Sequence, residues 1–221
     1  MYLSYKDTSV PAVEPISLLT AKQQCVVDVG NTSDDDLISG LIVAARQHVE
    51  NLMQRAIFNR TMTLSMDFFP FPTYGSTISA NDKHVLYGRY WHQLAITLPR
   101  PSAVSVQSIT YIDLSQTLQT LDESLYYVDT TCEPARIVPQ PGLYWPYTQS
   151  YLPGSVTVNY TAGTYGDGVE INTCPQTIVQ ACLMLISYWY SHRDAAEHNP
   201  PKAIEMGIDA LLACHNFESF V

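Results

Sequence analysis

The amino-acid sequence predicts an α+β fold in which a helical bundle of about four helices is split by a mostly antiparallel β insertion. Two changes in hydrophobic period carry this prediction. Apolar residues recur at three- and four-residue steps before Arg60, alternate with polar residues after it, and return to helical spacing after Pro175. The predicted domains are residues 1–60 and 171–221, as the two parts of a helical domain, and residues 61–170 as the β insertion.

Two helices are predicted in the first part, after an extended leader from Val10 to Pro15. Ser17 is placed to cap a short helix that runs to about Val26. A longer helix is predicted from Ser33 to Ala56, with Ser33 as its N-cap. Three aspartates follow Ser33, where the positive end of a helix dipole favours them, and the apolar residues beyond share one face.

The β insertion is predicted to begin with a half-buried strand. Met62, Leu64, Met66 and Phe68 alternate with polar residues there. The run from Phe69 to Pro72 ends this strand, because proline cannot donate to a β-ladder. Turn residues separate the further predicted strands, which are Leu94–Leu98, Val104–Asp113, Thr117–Leu121, Leu125–Asp129, Arg136–Val138 and Ser155–Thr161.

Two more helices are predicted in the last part. Pro175 suits the first position of a helix that runs to about Ala196, and Pro200-Pro201 separates it from a final helix. The apolar residues of the final helix are Ile204, Ile208, Leu211, Leu212 and His215 at its end. The segment Ile178–Tyr190 is apolar nearly all the way round, which indicates a helix buried on several sides. It is either the centre of a monomeric core or a seam between subunits, and the low charge content favours the seam.

The composition favours large interfaces. Only 14% of the 221 residues are charged, where soluble domains usually have about a quarter. The chain has 15 tyrosines, and tyrosine is enriched at protein interfaces, although tyrosine-rich surfaces also suit carbohydrate binding. The formal net charge of −10 argues against affinity for nucleic acid, which needs basic residues to displace counterions from phosphates.

Cysteine usage and hydropathy predict a reduced protein that does not enter a membrane. The five cysteines are odd in number and none has CxxC spacing, which argues against a disulfide framework or zinc site and favours a cytosolic compartment. The N-terminal residues lack the pattern of a signal peptide. The longest apolar stretch, Ile178–Tyr190, is too short to span a bilayer.

The sequence contains no recognisable catalytic motif. It has no GxSxG, no Walker loop, no GxGxxG and no HExxH. His192 and His198 are six residues apart, so they cannot share a helix face as a metal-binding pair would. Asp34, Asp35 and Asp36 lack the alternating ligands of a calcium loop and are better explained as the start of a helix. The prediction is a protein with no catalytic residue, no metal and no cofactor.

Several segments, taken in order, resemble the head–tail connector proteins of tailed bacteriophages, also called adaptor or head-completion proteins. The resemblance covers most of the chain and depends on the ordered set, since no single motif is diagnostic. The segments are Pro11–Leu18, Asp34–Ile38, Ala44–Asn51, Leu98–Pro101, Val106–Asp113, Tyr127–Asp129, Pro134–Val138, Val156–Gly163, Pro175–Tyr190 and Gly207–Leu212.

The resemblance implies a structural subunit that is made in the host cytoplasm and resides in the virion neck. Family members form a cyclic homo-oligomeric ring beneath the portal protein of the DNA-filled head. The ring extends the DNA channel, lets genomic DNA pass without specific binding, and presents a docking surface for the next neck or tail protein. Candidate channel-lining acids lie on the polar face of the helix Ser33–Ala56 and near the β turns.

Two departures from the family pattern mark candidate contact regions. The segment Thr73–Gln93 is longer than is usual before the Leu98–Pro101 element, and the ending after Leu212 lacks the family's common Pro–Tyr–Arg-like continuation. Aromatic and apolar residues in these regions and in the apolar helix are the candidate subunit or partner interface. They are Tyr87, Tyr90, Trp91, Tyr188, Trp189, Tyr190, Leu211, Leu212, Phe217 and Phe220.

Two other function classes stay open. The aromatic residues and the β insertion also fit a carbohydrate-binding or tail-fibre-type binding module, although such modules are usually all-β and lack an apolar helix like Ile178–Tyr190. A cytosolic hydrolase with a dispersed site is the third possibility. A glycan array and a hydrolase screen separate these alternatives from the connector.

Overall fold

The chain folds into an α+β structure, as predicted. A computed structural model describes residues 3–7, 11–71, 94–100, 102–149, 152–167, 169, 173–192 and 202–216. Within these residues there are four α-helices and two antiparallel sheets. The chain forms two compact units. The β unit comprises the described residues of Met1–Val10 and Arg60–Ala162, and the helical unit comprises those of Pro11–Asn59 and Gly163–Val221.

The β unit contains a sheet of five strands and a sheet of three. The larger sheet has the order β1-β2-β8-β4-β5, formed by β1 (Leu3–Asp7), β2 (Arg60–Met66), β8 (Val156–Ala162), β4 (Ala103–Ile112) and β5 (Leu118–Thr120). The smaller sheet has the order β3-β7-β6, formed by β3 (Ile96–Thr97), β7 (Arg136–Pro139) and β6 (Tyr126–Asp129). All neighbouring strands are antiparallel, and every predicted strand overlaps an observed one.

One face of the five-stranded sheet is apolar and buried. Alternation along β2 and β8 places residues such as Leu64 and Val158 on this inner face. Tyr160 is also buried there, and its hydroxyl donates to the Pro99 carbonyl at 2.6 Å. The Tyr160 hydroxyl thereby joins the inner face to the chain that follows β3.

Strand β1 is an element that the sequence analysis missed. Residues 3–7 were assigned to the helical part, but they pair with β2 along their whole length, from Leu3 opposite Met66 to Asp7 opposite Met62. Five residues of alternation are too few to stand out beside the helical pattern that follows. The pairing therefore places residues 3–7 in the β unit.

The helical unit contains α1 (Leu18–Gln24), α2 (Asp35–Met53), α3 (Gln176–Ser191) and α4 (Lys202–Leu212). Ser17 caps α1 as predicted, because its hydroxyl accepts a hydrogen bond from the Thr20 amide at 3.1 Å. The N-cap of α2 is Asp34 and not Ser33, whose hydroxyl is bonded to Asn31. Pro175 is the N-cap of α3, one position before the first helical turn.

Helix α3 lies at the centre of the helical unit. It contacts α1, α2 and α4, and Gln180 is its only exposed residue between Ile178 and Tyr190. The buried residues of all four helices form one apolar cluster that includes Ala45, Val49, Ile178 and Ile186. The packing within the helical unit accounts for the all-round apolar character of α3. A seam between subunits is therefore not needed to explain this segment.

Candidate interaction surfaces

The predicted aromatic residues at the end of α3 are half-buried and have partners inside the helical unit. The Tyr190 hydroxyl donates to Asp34 Oδ2 at 2.6 Å, which ties the end of α3 to the start of α2. The Trp189 and His48 rings form a T-shaped pair with 5.8 Å between their centroids. The Tyr188 ring stacks on His192 at 4.5 Å. The structure brings these side chains to one end of α3 and leaves part of each ring accessible.

The other predicted contact residues are dispersed or lie outside the described part of the chain. Leu211 is half-buried against the helical core, and Leu212 is 1% exposed inside that core. The remaining predicted residues, Tyr87, Tyr90, Trp91, Phe217 and Phe220, all lie outside the described residues. Among the predicted contact residues that the structure describes, accessible apolar surface is therefore found only on the rings at the end of α3 and on Leu211.

His215 fixes the chain just after α4. The sequence placed it in the final helix, but it lies in the turn that follows Leu212. One ring nitrogen, Nδ1, is 2.9 Å from the Tyr165 hydroxyl, and the other, Nε2, is 2.8 Å from the Thr177 hydroxyl. Burial, and then the positive charge of Arg55, lowers the pKa of His215 below its ordinary value. The imidazole thus joins α3, the end of α4 and the loop that carries Tyr165.

An aromatic cluster in the β unit was not predicted. Phe71 stacks on Phe68 at 6.3 Å and on Tyr147 at 6.2 Å, and Tyr147 is 74% exposed. In the same unit, Trp145 stacks on the buried Phe69 at 5.0 Å. The sequence analysis used the Phe–Pro run here only as the end of a strand. The rings of Phe68, Phe71 and Tyr147 instead form an exposed aromatic layer, whereas those of Phe69 and Trp145 are buried.

The outer face of the five-stranded sheet consists mainly of hydroxyl side chains, with two apolar residues, Ile112 and Leu118, at its β5 edge. The pairing registers align Ser4, Ser65, Thr157, Thr110 and Thr120 in one row that crosses all five strands. We call the outer-facing set the hydroxyl face; its members are Ser4, Lys6, Thr61, Thr63, Ser65, Ser105, Gln107, Ser108, Thr110, Ile112, Leu118, Thr120, Thr157, Asn159 and Thr161.

Two features complete the hydroxyl face. Register irregularities in β4, between Ala103 and Ser105 and between Val106 and Ser108, bring Ser105 and Ser108 onto it although they are three residues apart. A depression of about 350 Å³ opens beside β5, with Ser108 and Thr120 in its wall. Because of these irregularities, strict alternation of side chains along the sequence does not predict which residues lie on this face.

Three solved structures share this fold. They are described as the neck of an empty GTA particle computed with C6 symmetry, the virion of a native gene transfer agent (GTA) particle, and the neck of a native GTA particle computed with C12 symmetry. The TM-scores are 0.69, 0.69 and 0.63, with sequence identities of 14%, 14% and 15%. The likeness covers 98–99% of this chain and 97% of each of theirs.

At this level of identity, the likeness shows the fold and not the function. No protein-family model and no curated protein sequence matches the chain. The chain thus has the fold of proteins found in the neck of gene transfer agent particles, over almost the whole length of both.

The described residues contain no cluster of metal ligands and no helix that is long and apolar enough to cross a bilayer. No group of three or more His, Cys, Asp or Glu side chains among them is arranged to hold a metal ion. In the same part of the chain, every helix is too short or too polar to cross a bilayer.

The thiols differ in accessibility, which gives a direct test of the helical core. Cys214 is exposed, whereas burial, followed by neighbouring negative groups, raises the pKa of Cys174 and Cys182 to about 12. At pH 8 only about one in ten thousand of these buried thiols is the reactive thiolate. We expect iodoacetamide to alkylate Cys214 in the folded protein and to reach Cys174 and Cys182 only after denaturation. Peptide mass spectrometry over time measures this, and equal rates at all three sites would disprove the packing.

Proposed function

We propose that this chain is a structural subunit of the neck of a tailed-phage-type particle. Copies form a ring that joins the portal of the DNA-filled head to the tail and extends the DNA channel. The observation that carries the proposal is the match over 97–99% of both chains to subunits of particle necks computed with C6 and C12 symmetry. The resemblance of the ordered sequence segments to head–tail connectors points the same way and is independent of the coordinates.

The charge of the chain suits a conduit that does not hold DNA. A net charge of −10 gives each copy no electrostatic attraction for phosphate, so DNA passes without specific binding. The acids at the start of α2 differ in how accessible their negative charge is to a channel. Asp35 is paired with Lys22 at 2.6 Å, and Asp34 is bonded to Tyr190. Asp36 is exposed, so it is the acid in the first turn of α2 that is best placed to face a channel.

The partners follow from the proposed position. A neck ring contacts copies of itself, the portal protein on one side and the next neck or tail protein on the other. The exposed aromatic layer of the β unit and the accessible rings at the end of α3 are surfaces that such contacts would bury. We further propose that Tyr87, Tyr90, Trp91, Phe217 and Phe220 belong to these contacts, on the strength of the sequence alone.

We expect the purified chain to form a closed ring when it is mixed with its cognate portal. The reason is that head-to-tail contacts with a closing rotation produce cyclic assemblies, and the portal supplies a template for the rotation. Negative-stain electron microscopy with class averaging should show an added ring with a central hole on the portal. The portal alone is the control. Light scattering and images that show only free monomer beside unchanged portal would contradict the proposed function.

A further inference from the structure

The hydroxyl face is unusual for a surface in contact with water. Exposed protein surfaces usually carry about 25–35% charged residues, but the only charged member of this face is Lys6, on the edge strand. The central members, such as Thr63, Asn159 and Thr157, are half-buried in the chain alone. An ordinary solvated sheet face would alternate lysines and glutamates among its threonines.

Hydrogen bonds within the hydroxyl face lower the cost of removing it from water. The Thr63 hydroxyl donates to Asn159 Oδ1 at 2.8 Å, and Asn159 Nδ2 donates to the Ser108 hydroxyl at 3.2 Å. Gln107 Nε2 donates to the Thr161 hydroxyl at 3.1 Å. A buried polar group is costly when it lacks a partner, and these groups have partners across β2, β8 and β4. This central part of the face can therefore be covered by a surface that offers few hydrogen bonds.

The outer face of α2 is a surface with matching properties. Between Asp36 and Gln54 it exposes no charged side chain, because Arg46 and Glu50 are both buried. Its exposed residues are Leu37, Ser39, Gly40, Gln47, His48, Asn51, Leu52 and Gln54. A helix of 19 residues is about 28 Å long, and five strands span about 19 Å, so the helix is long enough to cross all five strands.

We propose that the hydroxyl face of one copy packs against the outer face of α2 of the next copy. The inference rests on the proposed function, since a closed ring needs two different surfaces on each subunit that fit one another. Both surfaces are almost free of charge, so little ion hydration is lost when they meet. A helix laid on a sheet is also a stable layer arrangement within single domains.

Charge substitutions on both surfaces test the contact. The face variant Thr63→Lys/Thr161→Lys and the helix variant Gln47→Glu/Asn51→Glu should each reduce ring formation on the portal at least about tenfold, because each buries unpaired charge. The chain that carries all four substitutions should recover to within about threefold of the wild type, because lysines of one copy then meet glutamates of the next. Ring yield is counted by electron microscopy and checked by sedimentation.

Matched controls place the same charges elsewhere. The control for the face variant is Ser115→Lys/Thr130→Lys, in exposed loops of the β unit, and the control for the helix variant is Gln23→Glu/Gln24→Glu, on α1. Each control should leave the ring yield within about twofold of the wild type. Circular dichroism melts confirm that every variant is folded. If the face variant assembles as well as its control, or if the combined variant is no better than either parent, the proposed contact is wrong. If the wild type itself forms no ring, the proposed function fails first, and the contact with it.

Discussion

Replacement of Arg46 by alanine should lower the free energy of unfolding by about 3–5 kcal/mol. The Arg46 side chain is 2% exposed; its Nε donates to Glu14 Oε2 at 2.7 Å and a terminal nitrogen donates to Glu50 Oε2 at 3.0 Å. Glu50 is equally buried, and its other oxygen accepts from the Ile57 amide at 2.9 Å. Without Arg46, the buried Glu50 carboxylate loses the positive charge of the Arg46 guanidinium inside the helical unit. Urea unfolding followed by tryptophan fluorescence measures the loss.

A more exposed ion pair provides the control for this effect. Arg136 pairs with Asp129 at 2.8 Å, but 31% of the Arg136 side chain is exposed. Arg136→Ala should therefore cost less than about 1 kcal/mol. The double variant Arg46→Met/Glu50→Gln should recover much of the loss, because it removes both charges and keeps an acceptor for the Ile57 amide. A loss at Arg46 no larger than that at Arg136 would contradict the burial of this pair.

Elements with strong local patterns were predicted from the sequence. The helix predicted for Ser33–Ala56 is observed as Asp35–Met53, and the strand predicted to start after Arg60 is observed as Arg60–Met66. Both depend on the spacing of apolar residues within a short stretch, which the sequence displays directly. The errors are confined to the ends, where caps depend on single hydrogen bonds.

The sheet surfaces could not be predicted in the same way. The hydroxyl face joins residues as far apart as Ser4 and Thr157, and its membership depends on which strands are neighbours and on two register irregularities in β4. Pairing across such separations has no signal in local periodicity. Apart from Ser4, the serines and threonines of this face were accordingly assigned to strands, but they were not recognised as one surface.

The contacts of the aromatic residues at the candidate contact sites could not be predicted from the sequence either. Tyrosine at the end of α3 was predicted to be interfacial because its ring is apolar and its hydroxyl polar. The structure satisfies the Tyr190 hydroxyl with Asp34, 156 residues away, inside the same chain. The sequence identifies a side chain that needs a partner, but it does not show whether that partner belongs to the same chain or to a neighbour.

Gly163→Ala is expected to destabilise the helical unit by about 3 kcal/mol or more, through overpacking against backbone. Gly163 is buried, and an added Cβ would overlap Phe58 C and Asn59 N and would lie 2.5 Å from Asn59 Cα. Neither segment is free to move aside. The amides of Thr164 and Tyr165 both donate to the Ile57 carbonyl, at 3.2 and 2.8 Å, and the Asn59 amide donates to the Gly166 carbonyl at 3.0 Å. Thermal and urea unfolding of the free chain measure the effect.

Gly40→Ala is the matched control, because it adds the same methyl group where there is room. Gly40 is exposed within α2, and an added Cβ there meets nothing within 4 Å. Alanine removes the entropic cost of glycine in a helix interior, so this variant should gain about 0.5–1 kcal/mol. The two substitutions have the same chemistry and opposite expected signs. If Gly163→Ala is tolerated as well as Gly40→Ala, the close approach between residues 57–59 and 163–166 does not exist in the folded protein.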